Sequence, residues 1–415
     1  MTEEPESYLL IGPFSQMVTM AGLPLNGSLA DGQLEALEQA GVLIRGEKIE
    51  KVGNYALLRR EAEATHYRLH EINTPMVLLP GFIDAHTHLC FAGARANDYA
   101  LRVAGKSYRE IARSGGGILD TVSKTRAATL EQLVPELMAR CDRHLTEGVT
   151  TCEVKSGYGL TVADELKMLE AIQQVNQRHP LDLVPTCLAA HLRPPEFPDA
   201  HGYLEHILQE LLPKVKERKL AQRVDIFMEE TAFSEAEALP YLQAAQALGF
   251  DITVHADQFS TGGSKVAAQV KAASADHLEA SGAGELTLLK EADVVATVLP
   301  GASLGLGMSF APARKMLEAG LCVAIATDWN PGSAPMGDLL LQAALLGAAE
   351  KLTLAETFAG ITYRAAHALR MTDRGKLAPG LLADMVAFPT GNYQEILYYQ
   401  GKLKPTKVWK SGTLV

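Results

Sequence analysis

The sequence predicts an α/β protein: a (β/α)8 barrel with a small β-sandwich formed by both chain ends. Three observations predict it. Eight short apolar runs alternate with helix-period stretches between residues 82 and 327. The two chain ends are instead strand-rich, and neither is long enough to bury much apolar surface alone. The chemistry-bearing side chains gather where the runs end, the face on which such barrels carry their active sites.

Bulk properties set the frame. The chain has 415 residues, room for two or three domains at roughly 150 residues each, or for one barrel of about 250 with an appendage. Apolar residues make up 47% and charged residues 21%, the balance of a globular protein with a large core. A net charge of −11 argues against nucleic acid and anionic membrane surfaces as partners. An anionic small ligand then needs a local cation to capture it. Cys90, Cys141, Cys152, Cys187 and Cys322 are odd in number and show no CxxC spacing. They read as free thiols, small hydrophobes of a protein kept in a reducing cytoplasm. The opening MTEEPESYLLIG is acidic without an apolar signal core, and no apolar run reaches the ~18 residues of a membrane span.

The elements follow in order. Residues 1–79 are read as the N-terminal part of the sandwich, with 42–52 (VLIRGEKIEKV) as a hairpin around a glycine turn. Residues 80–375 are read as the barrel. Its runs are FIDAH (82–86), VTTCEV (149–154), LVPTCLA (183–189), VDIFME (224–229), DITVH (251–255), SADH (274–277), DVVATV (293–298) and CVAIAT (322–327). Between them, Thr129 with Gln132 three residues on forms a capping-box signal, and Thr161 and Ser234 each precede amphipathic stretches. Gly249 suits the residue after a helix, and Pro240 predicts a kink or a shortened start in the helix before it. Residues 376–415, with ADMVAF (383–388), residues 406–409 and a turn at Gly412, complete the sandwich. An open doubly wound sheet is the competing topology, but no GxGxxG follows the first strand.

Five of the twelve histidines fall at the ends of runs: His86, His88, His191, His255 and His277. The other seven, His144 among them, lie in helices or connections and are read as structural or surface residues. Side chains two apart on a strand point the same way, so His86 and His88 can grip one ion from one side. His255 and Asp328 complete a set of three imidazoles and a carboxylate, suited to Zn²⁺ or a similar metal with one position open for water. Lys155, just past the second run, is the alternative ligand if carbamylated. Cys90 follows HxH closely, but reads as a packed thiol.

PGFIDAHTH, VHAD, ATDWNPGS and GKLAPGLLADMVAF together resemble the amidohydrolase superfamily. Residues 92–129, EVKSGYGLT (153–161) and HLRPPE (191–196) are more closely similar to its imidazolonepropionase family, and the resemblance covers nearly the whole chain. It implies a cyclic amide hydrolase of histidine degradation, with one Zn or Fe ion per chain held by His86, His88, His255 and Asp328. It implies a substrate carboxylate on Arg95 and substrate contacts from Tyr158, His191, Gln258, Asn330, Gly332 and Ser333. It also implies a homodimer, for which the apolar stretch 339–350 is a candidate interface or equally a core helix. Asp328 and His277 are the expected catalytic residues, sharing the proton transfers of ring opening. Two rivals are a cytosine or guanine aminohydrolase of the same superfamily and a non-catalytic barrel serving as a scaffold. Release of ammonia would mark the first, and loss of metal ligands the second.

Overall fold

Eight parallel strands close around one axis in the computed structural model, which describes residues 8–106, 110, 115–230 and 232–415. Positions 107–109 and 111–114, which belong to the family-like segment 92–129 quoted above, lie outside the described residues. In chain order the barrel strands are Phe82–Asp84, Val149–Lys155, Asp182–Ala190, Arg223–Ile226, Asp251–Ala256, Ser274–His277, Val295–Val298 and Val323–Ile325. Each pairs in parallel with the next. All eight coincide with the apolar runs. The bounds differ by up to three residues: the first, fourth and eighth runs continue past the C-terminal ends of their strands, where the backbone leaves the ladder, and the last two runs begin one or two residues before theirs.

Strands one and eight meet through a Thr87–Trp329 bridge. Asp328 N donates to His86 O at 3.0 Å and His88 N to Trp329 O at 2.9 Å. Below them the buried Asp84 carboxylate accepts Thr327 N at 3.0 Å and Thr327 Oγ1 at 2.6 Å. His144, read as structural or surface, is fully buried, with Nε2 3.3 Å from Asp84 Oδ2 and its ring edge-on to Trp329. The imidazole supports the closing joint.

The helices start where their caps predict. Gln132 Oε1 accepts Thr129 N at 2.9 Å, opening Leu130–Thr146. Thr161 Oγ1 accepts Asp164 N at 3.1 Å, opening Val162–Asn176. Helix Glu235–Ala247 runs through Pro240 without a late start, and Gly249 follows it at φ +83°. The proline lies in the second turn, close enough to the N-terminus that the hydrogen bond it removes is one of the first of the helix. Helix Leu339–Glu350 buries Leu339, Leu340, Ala343, Ala344 and Leu346 inside this chain, so it is a core helix.

The chain ends build one sheet. Strands Ala36–Arg45 and Lys48–Asn54 form the expected hairpin around Gly46, and Met385–Phe388 pairs antiparallel with both Val77–Pro80 and Lys407–Lys410. The sheet bends back on itself: Lys48 bridges Leu382, and Ile44, Leu78, Met385 and Trp409 share one buried cluster. The sandwich is therefore one folded sheet. It meets the barrel at the start of strand one, where Gly81 N donates to Asp384 O at 2.9 Å and the Phe82 and Phe388 rings lie 6.0 Å apart. No helix among the described residues is long and apolar enough to cross a membrane.

Trp409 is fully buried at the centre of the folded sheet. Trp409→Ala should lower the unfolding free energy by about 3–5 kcal/mol. Urea denaturation followed by circular dichroism measures it; a change below about 1 kcal/mol would mean that the sheet is not packed around this ring.

Candidate metal centre and active site

The C-terminal ends of the barrel strands open onto a cavity of about 680 Å³. Its floor is the donor set proposed from sequence. His86, His88 and His255 form a buried cluster. His255 Nε2 lies 3.3 Å from His88 Nε2, and Asp328 Oδ1 lies 3.3 Å from His88 Nε2 and 3.6 Å from His86 Nε2. Tetrahedral donors at the bond lengths of zinc stand about 3.3–3.6 Å apart, so these four are spaced as the edges of a coordination polyhedron.

The ring tautomers agree with that role. His86 Nδ1 is 2.6 Å from Asp276 Oδ2, and His255 Nδ1 is 2.9 Å from Asp225 Oδ2. A carboxylate beside Nδ1, hydrogen-bonded at His86 and in ion-pair contact at His255, favours the proton on that nitrogen and leaves Nε2 as a lone pair for the centre, the usual arrangement behind metal-bound histidines. Among the described residues His86 Nε2 has no hydrogen-bond partner although it is buried. An orphaned acceptor there is costly unless a cation takes it. Burial and the nearby Lys155 charge hold His86 well below the usual imidazole range, and the same causes bring His88 down to about 3. Burial also lowers His255, against the pull of Asp225. All three rings are neutral at pH 7, the form that ligates metal. The residues fit a metal ion.

His277 stands beside the quartet rather than in it, its ring centroid 5.3 Å from that of His255 and 5.8 Å from that of His86. Burial disfavours its cation, but Glu279, Asp328 and Asp276 outweigh burial and raise it. Its Nδ1 lies 3.6 Å from Glu279 Oε2. Burial raises Asp328 as well, the charges of His277 and His255 opposing. His277 has φ +84° and Asp328 φ +51°, conformations that cost of order 1–3 kcal/mol each and that cluster at working sites.

The remaining expected residues line the cavity, apart from Gly332, which sits just behind it. Arg95 Nε is spent on Asp98 Oδ2 at 2.9 Å, and no acceptor among the described residues engages its two terminal nitrogens. They lie against the backbone of Gly332, where an added Cβ would come within 2.6 Å of Arg95 Cζ. Tyr158 is buried, its ring 5.9 Å from His88. His191 stacks on His88 at 5.4 Å, and Nδ1 meets Gly157 O at 3.1 Å, which turns Nε2 outward. Gln258 follows strand five at the rim. Asn330 also lines the cavity, with its amide bonded within its own loop. Its Nδ2 donates to Asp328 O (2.7 Å) and Ser333 Oγ (2.9 Å), while its Oδ1 accepts Gly332 N and Ser333 N, both at 2.8 Å. All four hydrogen-bonding positions of the amide are used within the loop, so Asn330 holds the shape of the segment that lines the cavity. Ser333 Oγ in turn lies 3.5 Å from Asp328 Oδ2.

Several functional positions escaped the sequence reading. Asp225 and Asp276 orient the histidines, Asp98 holds Arg95, and buried Glu165 accepts Gly157 N, Gly159 N and Leu160 N at 2.8–3.0 Å, fixing the loop of Tyr158. For Asp225 and Asp276 the available signal was an acidic residue inside an apolar run, since a buried charge needs a partner; Asp98 and Glu165 lie on helices and carried no such signal. Lys155 is not a carbamate ligand: its ammonium is 2.7 Å from Glu153 and 2.9 Å from Asp225, and Asp225 and Glu153 keep it protonated despite burial. All five cysteines are buried and free.

This barrel and donor set define a metal-dependent hydrolase of the amidohydrolase class, and residues 77–415 match the amidohydrolase family. Within that class the chain belongs to the imidazolonepropionase family. It is 40% identical over 406 residues to the imidazolonepropionase of Shouchella clausii, covering 96% of this chain and 91% of that protein. It is 41% identical over 422 residues to that of Symbiobacterium thermophilum, covering 99% and 97%. An adenosine deaminase from Xanthomonas campestris with bound zinc shares the fold, with a TM-score of 0.70 at 18% identity over 99% of this chain and 93% of that one.

Gly332→Ala should push the Arg95 guanidinium out of place. The expected result is a KM raised about 10-fold or more with kcat changed far less, the size of a 1–3 kcal/mol overpacking cost. Steady-state kinetics decide it, and an unchanged KM would show that Arg95 does not depend on this contact.

Proposed function

We propose that the protein hydrolyses the ring amide of 4-imidazolone-5-propanoate to N-formimidoyl-L-glutamate, using one zinc or iron ion held by His86, His88, His255 and Asp328. The observation that carries this reading is that Arg95 lines the same cavity as three of those donors, His88, His255 and Asp328. The substrate pairs a small cyclic amide with a propionate. In a chain of net charge −11 the propionate needs such a fork, which offers two parallel charge-assisted bonds.

When bound, the metal supplies a Lewis acid and lowers the pKa of its water to about 7. Arg95 anchors the tail and sets the ring amide over the donor set. Tyr158 and His191 wall the ring, and His191 Nε2 offers a polar contact. Asp328 takes a proton from the attacking water on its carboxylate and delivers it to the departing ring nitrogen. A carboxylate raised by burial is suited to both halves of that transfer. His277, raised by its acidic neighbours, donates a hydrogen bond to the carbonyl oxygen as negative charge grows there. One C–N bond breaks, hydroxyl oxygen joins the carbonyl carbon, and the formimidoyl group stays on the other nitrogen. A nucleobase aminohydrolase has no use for Arg95, and a scaffold has no use for a complete donor set. Five reduced thiols fit a cytoplasmic enzyme.

The direct test is loss of imidazolone absorbance on mixing freshly generated substrate with purified protein. No turnover, or release of ammonia from cytosine or guanine instead, would overturn the assignment. Removal of metal by a chelator should abolish activity, and stoichiometric Zn²⁺ or Fe²⁺ should restore it. Arg95→Met should raise KM about 10- to 100-fold with a smaller change in kcat, the loss of one charged hydrogen-bond pair. His277→Ala should leave metal content intact by elemental analysis and lower kcat about 10²- to 10⁴-fold. Metal loss in that variant would make His277 a ligand.

A further inference from the structure

Beneath the donor set lies a layer of buried charge that the proposed reaction does not use. Glu153 and Lys155 point inward from strand two, Asp225 from strand four and Asp276 from strand six, and all four are buried. Lys155 Nζ is 2.7 Å from Glu153 Oε1, 2.9 Å from Asp225 Oδ2 and 3.9 Å from Asp276 Oδ2. The last two oxygens are the same atoms that meet the Nδ1 positions of His255 and His86. One ammonium therefore stands between the two carboxylates that orient two metal-facing histidines.

We propose that Lys155 is the positioning residue of the metal centre: its buried ammonium holds Asp225 and Asp276 in register so that His255 and His86 present Nε2 to one ion. The inference rests on the metal centre proposed above. Two anionic oxygens within 4 Å of a common point repel strongly at low dielectric. Without a cation between them they separate, and each carries its histidine with it. The other supports are fewer. Asp225 Oδ1 accepts Ile226 N at 2.7 Å and His255 N at 3.2 Å, and Asp276 Oδ2 accepts Thr253 Oγ1 at 3.0 Å. Backbone bonds fix one carboxylate oxygen of Asp225, and a hydroxyl touches Asp276, but among the described residues only the Lys155 ammonium lies within 4 Å of both carboxylates. Glu153 is the ammonium's third anchor and is itself held by Thr186 Oγ1 at 2.6 Å.

A purely structural role would have Lys155 serve only as the countercharge of Glu153. The two roles separate in Glu153→Gln/Lys155→Met, which replaces the pair with neutral groups of similar volume and leaves neither of its two charges alone. Lys155→Met is made alongside it. Zinc affinity is measured by competition with a chromophoric chelator, and ligand geometry by the visible spectrum of the cobalt-substituted protein, with circular dichroism reporting the fold. Both variants should bind zinc about 10- to 100-fold more weakly than wild type, the usual effect of losing support behind a metal ligand, and should shift the cobalt bands. If Lys155→Met does not fold, the double variant carries the test. A folded double variant with wild-type zinc affinity and unchanged cobalt bands overturns the role of Lys155 alone. Wild-type protein that takes up no zinc or cobalt overturns the metal centre itself and this inference with it.

Discussion

The barrel has to close, and the closing joint between its first and last strands is the constraint on which the rest depends. Asp84 is the side chain at that joint. By accepting both the amide and the hydroxyl of Thr327, its carboxylate ties strand one to strand eight just beneath the donors. His86 and Asp328 are 242 positions apart in sequence, and this clamp brings them within coordination distance. A shift of one residue in register would turn His86 and His88 to the outside of the barrel, because the side-chain period of a strand is two.

Closure also sustains strain. His277 and Asp328 both leave their strands through positive φ, a conformation that an isolated chain would avoid. Packing around them is dense: Thr327, Trp329 and Leu278 are buried, and Asn330 binds its own loop with every valence of its amide. The cost of two uncommon backbone conformations is met by a loop that has few other ways to satisfy its polar groups. The result is a carboxylate and an imidazole aimed at one another's neighbourhood from strands eight and six, which one strand separates.

Charge is arranged in layers along the axis. Carboxylates, the Lys155 ammonium and the Arg223 guanidinium occupy the interior, imidazoles and Asp328 lie above them, and the guanidinium of Arg95 stands at the cavity wall. Glu153, Lys155, Asp225 and Asp276 are viable because each has an oppositely charged or polar partner within about 3 Å, without which a buried charge is prohibitive. The folded sheet made from the chain ends takes no part in this. It meets the barrel at the opposite end, where Gly81 and Phe82 begin strand one, and its own core is separate.

Much of this was legible in the sequence because local periodicity carries it. The eight runs have the length and β-branched content of buried strands, the caps at Thr129, Thr161 and Ser234 mark helix starts, and HxH at the end of a strand implies two side chains on one face. The four candidate donors were suggested by histidines and an aspartate at the ends of the runs, whereas Arg95 was named only through the family resemblance and by no local pattern. Tertiary structure alone decided which acid stands behind which histidine. Asp225 pairs with His255 across 30 positions and Asp276 with His86 across 190, and no pattern along a strand encodes such partners. It also decided that His144 supports the barrel joint, that Asn330 is consumed by its own loop and that Lys155 is an ion among carboxylates. These depend on distances between strands that meet only when the cylinder shuts, whereas helix and strand periods act between neighbours along the chain and are written there.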